Sequence, residues 1–154
     1  MARQYWLMKS EPEVFGIETL AAQTAQTTAW DGVRNYQARN MMRDQMKRGD
    51  RAFFYHSNCA EPGIVGIVEI VREAYPDATA ANPTSEYYDP KHTGDNPRWY
   101  VVEVKLERRL ERTVTLAEMK DDPALVNMPL VRRGNRLSVM PVSAAEWQHI
   151  LSLE

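Results

Sequence analysis

The sequence predicts an α+β domain, built as a mixed or antiparallel β-barrel with surrounding helices. Short apolar runs typical of strands lie near both ends of the chain, at residues 5–9 and 137–142. Stretches with helical spacing lie between the strands, but they do not alternate with them in the regular rhythm of a parallel sheet. A length of 154 residues suits one domain that spans residues 1–154.

The N-terminal part of the chain predicts a strand, which a proline ends, and then a short helix. Residues 5–9 are apolar and aromatic, and Pro12 ends this strand because proline has no N–H to donate to a ladder. Apolar residues recur on one side of residues 17–23, which predicts a short helix. Residues 24–28 are polar and are expected to form a connection.

The second helix is expected to run from residue 36 to residue 47. Asn35 suits its N-cap, since the side-chain oxygen can accept from free backbone amides of the first turn. Gly49 is expected to follow as the C′ residue. The helical spacing gives an inner apolar stripe of Ala38, Met41, Met42 and Met46. It also aligns a basic stripe of Arg39, Arg43 and Lys47.

The second half of the chain predicts further strands around a long loop. Residues 51–57 and 63–71 have strand character, and the second run is rich in Ile and Val. Residues 75–96 contain several prolines and no regular spacing, which is typical of a functional or mobile loop. Residues 98–110 alternate apolar and polar, as a half-buried strand does. Two later helices each begin at a capping box, Thr115–Glu118 and Ser143–Glu146.

The composition limits the partners and the compartment. The net charge is −2 and the pI is near 6.0, so a bulk attraction to nucleic acid is absent and any positive binding surface must be local. The single cysteine, Cys59, cannot form an internal disulfide. No apolar run has the length of a signal peptide core or a membrane span. We therefore expect a soluble cytoplasmic protein with no membrane partner.

Familiar catalytic motifs are missing from the sequence. It contains no Walker motif, no Gly-x-Gly-x-x-Gly and no Gly-x-Ser-x-Gly. The three histidines are scattered, and one cysteine cannot complete a zinc site of familiar spacing. His56 and Ser57 are neighbours on a strand, so their side chains diverge. We expect no catalytic residue, metal or cofactor, and a hydrolase acting on modified nucleic acid is the less favoured alternative.

Several unbroken stretches of the chain resemble the EVE domain family. They are Tyr5–Pro12, Trp30–Asn40, Phe53–Asn58, Pro62–Ile64, Ala74–Asp77, Tyr88–Lys91, Arg136–Val139 and Pro141–Val142. The resemblance runs in order along nearly the whole chain and extends to the thymocyte nuclear protein family. It implies a PUA-like fold, shared with YTH and ASCH domains. It also implies a non-catalytic reader of modified bases, particularly modified cytosine in DNA.

Trp30 is the centre of the expected base pocket. It follows a polar loop rather than an apolar strand, and stacking of a base on it would supply about 1–3 kcal/mol. The similarity to YTH domains places Lys9 and Ser10 in the wall of this pocket. Glu11 or Asp31 would accept from an exocyclic amine. The other candidates are polar or aromatic residues at strand ends and turns: Asn35, Tyr55, His56, Ser57, Tyr88 and Ser138.

Some of these candidates have an equally good structural interpretation. Asp31 suits a turn, Asn35 suits a helix cap, and Trp30 suits a core. A histidine such as His56 is more often a structural residue than a functional one. Tyr87 and Tyr88, in the loop with many prolines, would either close over a ligand or fasten the loop to the barrel.

Local positive charge supplies the phosphate-binding candidates, which are Arg34, Arg39, Arg43, Lys47 and Arg136. Arg132 and Arg133 would extend this basic patch beside Arg136. A charged stripe on a helix is usually a solvated face. In a chain of net negative charge, however, these residues offer a place for a phosphate backbone, and binding there would weaken with salt. The ligand alternatives are modified DNA, modified RNA and a free nucleoside-like molecule. A reader without an effector module also implies a protein partner, which the sequence does not name.

Overall fold

The computed structural model describes residues 3–154 and contains one mixed sheet of six strands. The strands are β1 (Tyr5–Ser10), β2 (Thr27–Ala29), β3 (Arg51–His56), β4 (Gly63–Pro76), β5 (Tyr100–Thr115) and β6 (Val139–Val142). Their order is β2-β5-β4-β3-β1-β6, and β1 pairs in parallel with β3 whereas the other pairs are antiparallel. The mixed sheet is as predicted. Since β2 and β6 are its edges, the word barrel describes it only loosely.

Helices cover both faces of this sheet. They are α1 (Pro12–Phe15), α2 (Ile17–Ala21), α3 (Tyr36–Asp44), α4 (Ala78–Ala81), α5 (Leu116–Lys120) and α6 (Ala144–Leu153). Short 3-10 turns lie at Thr24–Gln26, Pro123–Leu125 and Pro129–Val131. Among residues 3–154, no helix combines the length and the apolar character needed to cross a membrane.

The alternation of side chains along the strands creates two cores. Trp6 lies in the first core, which α2 and α3 cover, and Leu7 lies in the second, which α5 and α6 cover. Trp147 of α6 is completely buried in the second core, where its ring stacks on Phe53 at 3.9 Å between centroids. Because both faces of the sheet are buried, side chains for binding must come from strand ends and loops.

The predicted start of α3 is confirmed, and its predicted end is wrong. Asn35 caps the helix by accepting from the Ala38 amide at 3.0 Å. The helix then ends at Asp44, before Lys47, so Gly49 is not its C′ residue. Gly49, with a φ of +95°, instead forms the turn into β3. Lys47 therefore lies off the helix, and the predicted basic stripe is incomplete.

Asp50 provides the physical reason for the early end of α3. This carboxylate is only 3% exposed. It accepts from the Lys47 amide at 2.9 Å, from the Gln4 amide at 3.1 Å and from the Trp6 indole at 3.1 Å. A buried carboxylate needs such donors. The chain leaves the helix to supply one of them, which apolar spacing along the helix does not reveal.

Three short elements that the structure contains, α1, α4 and β2, were not predicted. Helix α1 has Pro12 at its first turn, so this proline starts a helix as well as ending the strand before it. The polar segment expected as a connection contains β2, an edge strand that pairs only with β5, from Thr27 opposite Lys105 to Ala29 opposite Glu103. The capping boxes at the start of α5 and α6 are confirmed.

Candidate functional site

A cavity of about 330 Å³ opens at the carboxyl end of β1. Residues of β1, α1, β2 and the segment 30–33 line it, together with Glu86, Tyr87 and Ser138. Three strands separate β1 from β2 in the sheet, so the sheet curls far enough to bring both to one cavity. Register shifts between β4 and β5 fit this curl, since bulges bend strands. The size is at the small end for ligand pockets, roughly 300–1,000 Å³, and suits one small ring system.

Trp30 is both a core residue and part of the cavity wall. It is 7% exposed, and its ring meets Phe54 edge-on at 5.4 Å between centroids. Its amide donates to the Val102 carbonyl at 2.8 Å, which fixes the backbone just after β2. The sequence left core and pocket as alternatives for this residue, and the structure places it in both.

The end of β1 brings a cation and a hydroxyl group to the cavity, and Ser138 lies beside them. Burial lowers the pKa of Lys9, whose ammonium lies 5.7 Å from the centre of the Tyr55 ring. The Ser10 hydroxyl donates to the Phe15 carbonyl at 2.6 Å, which holds α1 against the strand. Ser138 is fixed beside them, since the Lys9 amide donates to its carbonyl at 2.8 Å.

Two carboxylates that were predicted for the pocket, those of Asp31 and Glu11, also line the cavity. Asp31 is exposed at the mouth; partial burial and the nearby charge of Asp77 raise its pKa. Because solvent reaches Asp31, much of this effect is screened. Glu11 also lines the cavity, but one of its oxygens accepts from the Asn58 amide group at 2.9 Å. Asp31 is therefore the more available acceptor of the two.

Gly32 lets the loop with many prolines close one side of the cavity. Its φ is +77°, and a Cβ atom built there would lie 2.7 Å from the Cζ atom of Tyr87. Both the backbone angle and the close ring require glycine. Burial, helped by the nearby carboxylates of Glu86 and Asp31, raises the pKa of Tyr87. Tyr87 is thus an aromatic wall held directly against the segment that carries Trp30.

Arg34 joins this wall to the rest of the fold. Its guanidinium donates to Asp77 at 3.0 Å and to the Tyr87 carbonyl at 2.7 Å. Asp77 is 1% exposed; burial alone would raise its pKa, but hydrogen bonds from Thr79, Gly32 and Arg34 outweigh this and hold the pKa below its ordinary value. Because these donors are occupied inside the protein, Arg34 has a positioning role in the fold, and its phosphate role stays a prediction.

Other predicted base-pocket residues lie outside this cavity wall. Tyr55 is 2% exposed in the second core, and burial raises its pKa to about 12. His56 accepts from the Ile17 amide at 3.1 Å and so caps α2, while burial lowers its pKa. The Ser57 amide donates to the Ser10 carbonyl at 3.0 Å. Tyr88 is 42% exposed and its neighbour Tyr87 takes the wall position.

The cavity also contains residues that were not among the base-pocket candidates, although Tyr87 was named with Tyr88 as a residue that would close over a ligand or fasten the loop. They are Val14, Phe15, Thr28, Ala29, Gly32, Val33, Glu86 and Tyr87. Most of them belong to α1, to β2 or to the long loop; β2 and the loop are positioned by contacts distant in sequence. Within residues 3–154, no group of three or more His, Cys, Asp or Glu side chains is placed to hold a metal ion.

A second, more open groove of about 570 Å³ lies beside the cavity. The start of α3 lines it through Asn35 and Gln37, which places Asn35 here rather than in the base pocket. The segment 129–137, which includes Arg136, forms the opposite side.

The other predicted phosphate-binding residues lie in neither hollow. Arg39 donates to the Arg98 carbonyl at 2.9 Å and to Asn40, and Arg43 pairs with Asp44 at 2.8 Å. Lys47 is exposed beyond the end of α3. These contacts leave Arg39 and Arg43 with fewer free donors than the sequence suggested.

Comparison with known proteins identifies the fold family. The family model of the EVE domain matches residues 4–153. The chain belongs to the EVE domain family. This EVE domain is 49% identical over 167 residues to thymocyte nuclear protein 1 of Homo sapiens, a match that covers 97% of the chain and 73% of the human protein. The resemblance seen in the sequence is confirmed.

Solved structures share the fold of this EVE domain. A protein from Pseudomonas syringae is similar with a TM-score of 0.92 and 48% identity, covering 97% of this chain and 98% of that one. The human THYN1 protein in complex with DNA that contains 5-methylcytosine is similar with a TM-score of 0.92 and 49% identity, covering 97% and 96% of the two chains. The predicted PUA-like α+β fold is confirmed by these likenesses.

Proposed function

We propose that this EVE domain is a non-catalytic reader that binds DNA containing 5-methylcytosine and holds the modified base in the cavity of about 330 Å³. The observation that carries the proposal is the human relative, which has the same fold at 49% identity and forms a complex with DNA of this kind. The cavity supports it with aromatic walls, a half-buried cation and carboxylate acceptors.

The polar groups match the edge of cytosine. Cytosine presents an amino group that donates, next to a ring nitrogen and a carbonyl oxygen that accept. In this proposal Asp31 accepts from the amino group and Lys9 donates to the acceptors. Thymine has a carbonyl where cytosine has the amine, so it would set an acceptor against the carboxylate. The pair therefore selects cytosine over thymine.

Aromatic and apolar residues account for affinity and for the methyl group. A base leaves its stack at a cost of a few kcal/mol, and stacking on Trp30 and Tyr87 offsets about 1–3 kcal/mol of it. Val14 and Phe15 are apolar surfaces of the same cavity, and Val14 is 63% exposed. Covering one methyl group is worth about 0.8 kcal/mol, or about a fourfold preference for 5-methylcytosine over cytosine.

The test is equilibrium binding of matched DNA duplexes followed by tryptophan fluorescence. The duplexes carry cytosine, methylated, hydroxymethylated or glucosylated cytosine, or methylated adenine, and RNA and the free nucleoside serve as competitors. We expect the methylated cytosine duplex to bind best. Trp30→Leu should abolish this preference, whereas Trp147→Leu, which removes a buried tryptophan from the other core, should keep it. Preferential competition by RNA or by the nucleoside would reject the DNA assignment.

A further inference from the structure

The groove beside the cavity carries positive charge that the protein does not neutralise. Its lining includes Arg132, Arg133 and Arg136, all exposed, and no Asp or Glu. Arginines of β5 behave differently: they pair with carboxylates, as Arg108 does with Glu154 and Arg112 does with Glu118. Among residues 3–154, the three groove arginines form no such pair. Their donors are available to an anionic ligand.

A built turn presents these arginines to the groove. Gly134 has a φ of +80°, which reverses the chain between Arg133 and Arg136. The Asn135 side chain fastens the turn, since its amide group donates to the Pro129 carbonyl and its oxygen accepts from the Leu137 amide at 2.8 Å. The three cations are therefore held on a fixed loop rather than on a free tail.

The opposite side of the groove adds to the positive potential. It is the first turn of α3, a helix of nine residues, represented by Asn35 and Gln37. The first amides of a helix have no partner inside it, and the helix dipole places partial positive charge there. The arginines and the first turn of α3 thus line the same groove from two sides.

The groove and the cavity are neighbours along both walls. Val33 lines the cavity and Asn35 lines the groove; Ser138 lines the cavity and Arg136 lines the groove. Two residues of extended chain span about 7 Å. A nucleic-acid strand with one base in the cavity would therefore pass its adjoining phosphates over the groove.

We propose that this groove binds the phosphates next to the extruded base of DNA through Arg132, Arg133 and Arg136. This inference rests on the proposed function, since the base in the cavity sets the register of the strand. A chain of net charge −2 needs such a local site, because bulk attraction is absent. Phosphate contacts position a nucleic acid and base contacts specify it, so the groove supplies affinity and the cavity supplies selectivity.

The test compares salt dependence among variants of the full chain. The Arg132→Gln/Arg133→Gln/Arg136→Gln variant should lower the slope of log K against log salt by about 2.7 on duplex DNA, about 0.9 for each lost phosphate contact. It should weaken binding of methylated and unmethylated duplexes by the same factor. The Arg132→Lys/Arg133→Lys/Arg136→Lys variant should keep the slope of the parent, because it keeps the charge.

The control neutralises three exposed cations that line neither hollow: Arg48→Gln, Lys91→Gln and Lys105→Gln. Its slope should stay close to that of the parent. An equal change of slope in the control and the groove variant would overturn the groove assignment, and so would a change seen with RNA alone. The proposed function has a separate readout, which is the ratio of the affinities of the parent for methylated and unmethylated duplexes. A ratio of one would reject the proposed function, whatever the slope.

Discussion

Gly32→Ala tests whether the loop wall is needed for binding. The substitution adds a methyl group at a φ of +77°, where the Cβ atom would lie 2.7 Å from the Cζ atom and 2.9 Å from the Cε1 atom of Tyr87. No real contact is that short, so the Tyr87 ring must move. Gly49→Ala is the matched control, because its φ is +95° and nothing lies within 4 Å of the added atom.

The two variants share one effect on stability and differ in their effect on binding. Left-handed backbone costs an alanine about 1–2 kcal/mol relative to glycine. For a domain of this size, that lowers the melting temperature by about 2–8 °C in both variants. Gly32→Ala also displaces Tyr87 from the cavity, and loss of its stacking, about 1–3 kcal/mol, weakens binding roughly 5- to 150-fold.

Melting curves and titration with methylated duplex separate these effects. We expect both variants to melt lower than the parent and only Gly32→Ala to bind more weakly. Equal affinity of the two variants would refute the role of Tyr87 as a wall of the base site. A normal melting temperature for Gly32→Ala would refute the close packing of this ring on the segment after β2.

Three further substitutions follow from the same geometry. The pKa of Asp31 is raised, so the affinity of the parent for methylated duplex should fall as the pH falls towards that pKa. The affinity of Asp31→Asn should not change with pH in this range. The same pH dependence in both proteins would reject the acceptor role. Burial lowers the pKa of His56, so the unfolded state takes up its proton first and the free energy of unfolding should fall as the pH drops below 6.5. His56→Gln should reduce that fall in urea titrations, and an unchanged dependence would show that the bond to Ile17 does not cause it. Arg34→Ala leaves the Asp77 carboxylate, 1% exposed, without its cation and should destabilise the domain by about 3 kcal/mol, measured by chemical unfolding; a loss well under 1 kcal/mol would contradict the positioning role.

Patterns of a few neighbouring residues predicted the part of the cavity wall that lies at the end of β1 and just after β2. Lys9, Ser10 and Glu11 lie where a strand ends, and Trp30 and Asp31 lie where a turn begins. Apolar runs, a proline and a glycine mark such points directly in the sequence. For the same reason the Asn35 cap and the two capping boxes were predicted correctly.

The other side of the cavity depends on contacts that the sequence does not display. Tyr87 reaches the wall because Arg34 bridges to Asp77, a pair 43 residues apart, and because Gly32 lets the ring approach. Tyr87 and Tyr88 look alike in the sequence, and only the fold of the loop decides which one faces inward.

The predicted basic stripe of α3 is incomplete for a related reason. Helical spacing shows which cations share a face, but it does not show what they bind. Arg43 pairs with Asp44, and Arg39 donates to the Arg98 carbonyl. The predicted end of α3 was wrong because the Lys47 amide donates to the buried carboxylate of Asp50 and does not continue the helix. Side-chain pairing of this kind is set by packing, so it is read from the structure alone.

The most direct test of the base site is NMR of a duplex whose 5-methylcytosine carries a ¹³C-labelled methyl group. In the complex, the account predicts a ring-current shift of this methyl signal and nuclear Overhauser contacts to Val14 and to the indole of Trp30. A methyl signal that keeps its position in the stacked duplex, with no contact to either residue, would contradict the placement of the modified base in this cavity.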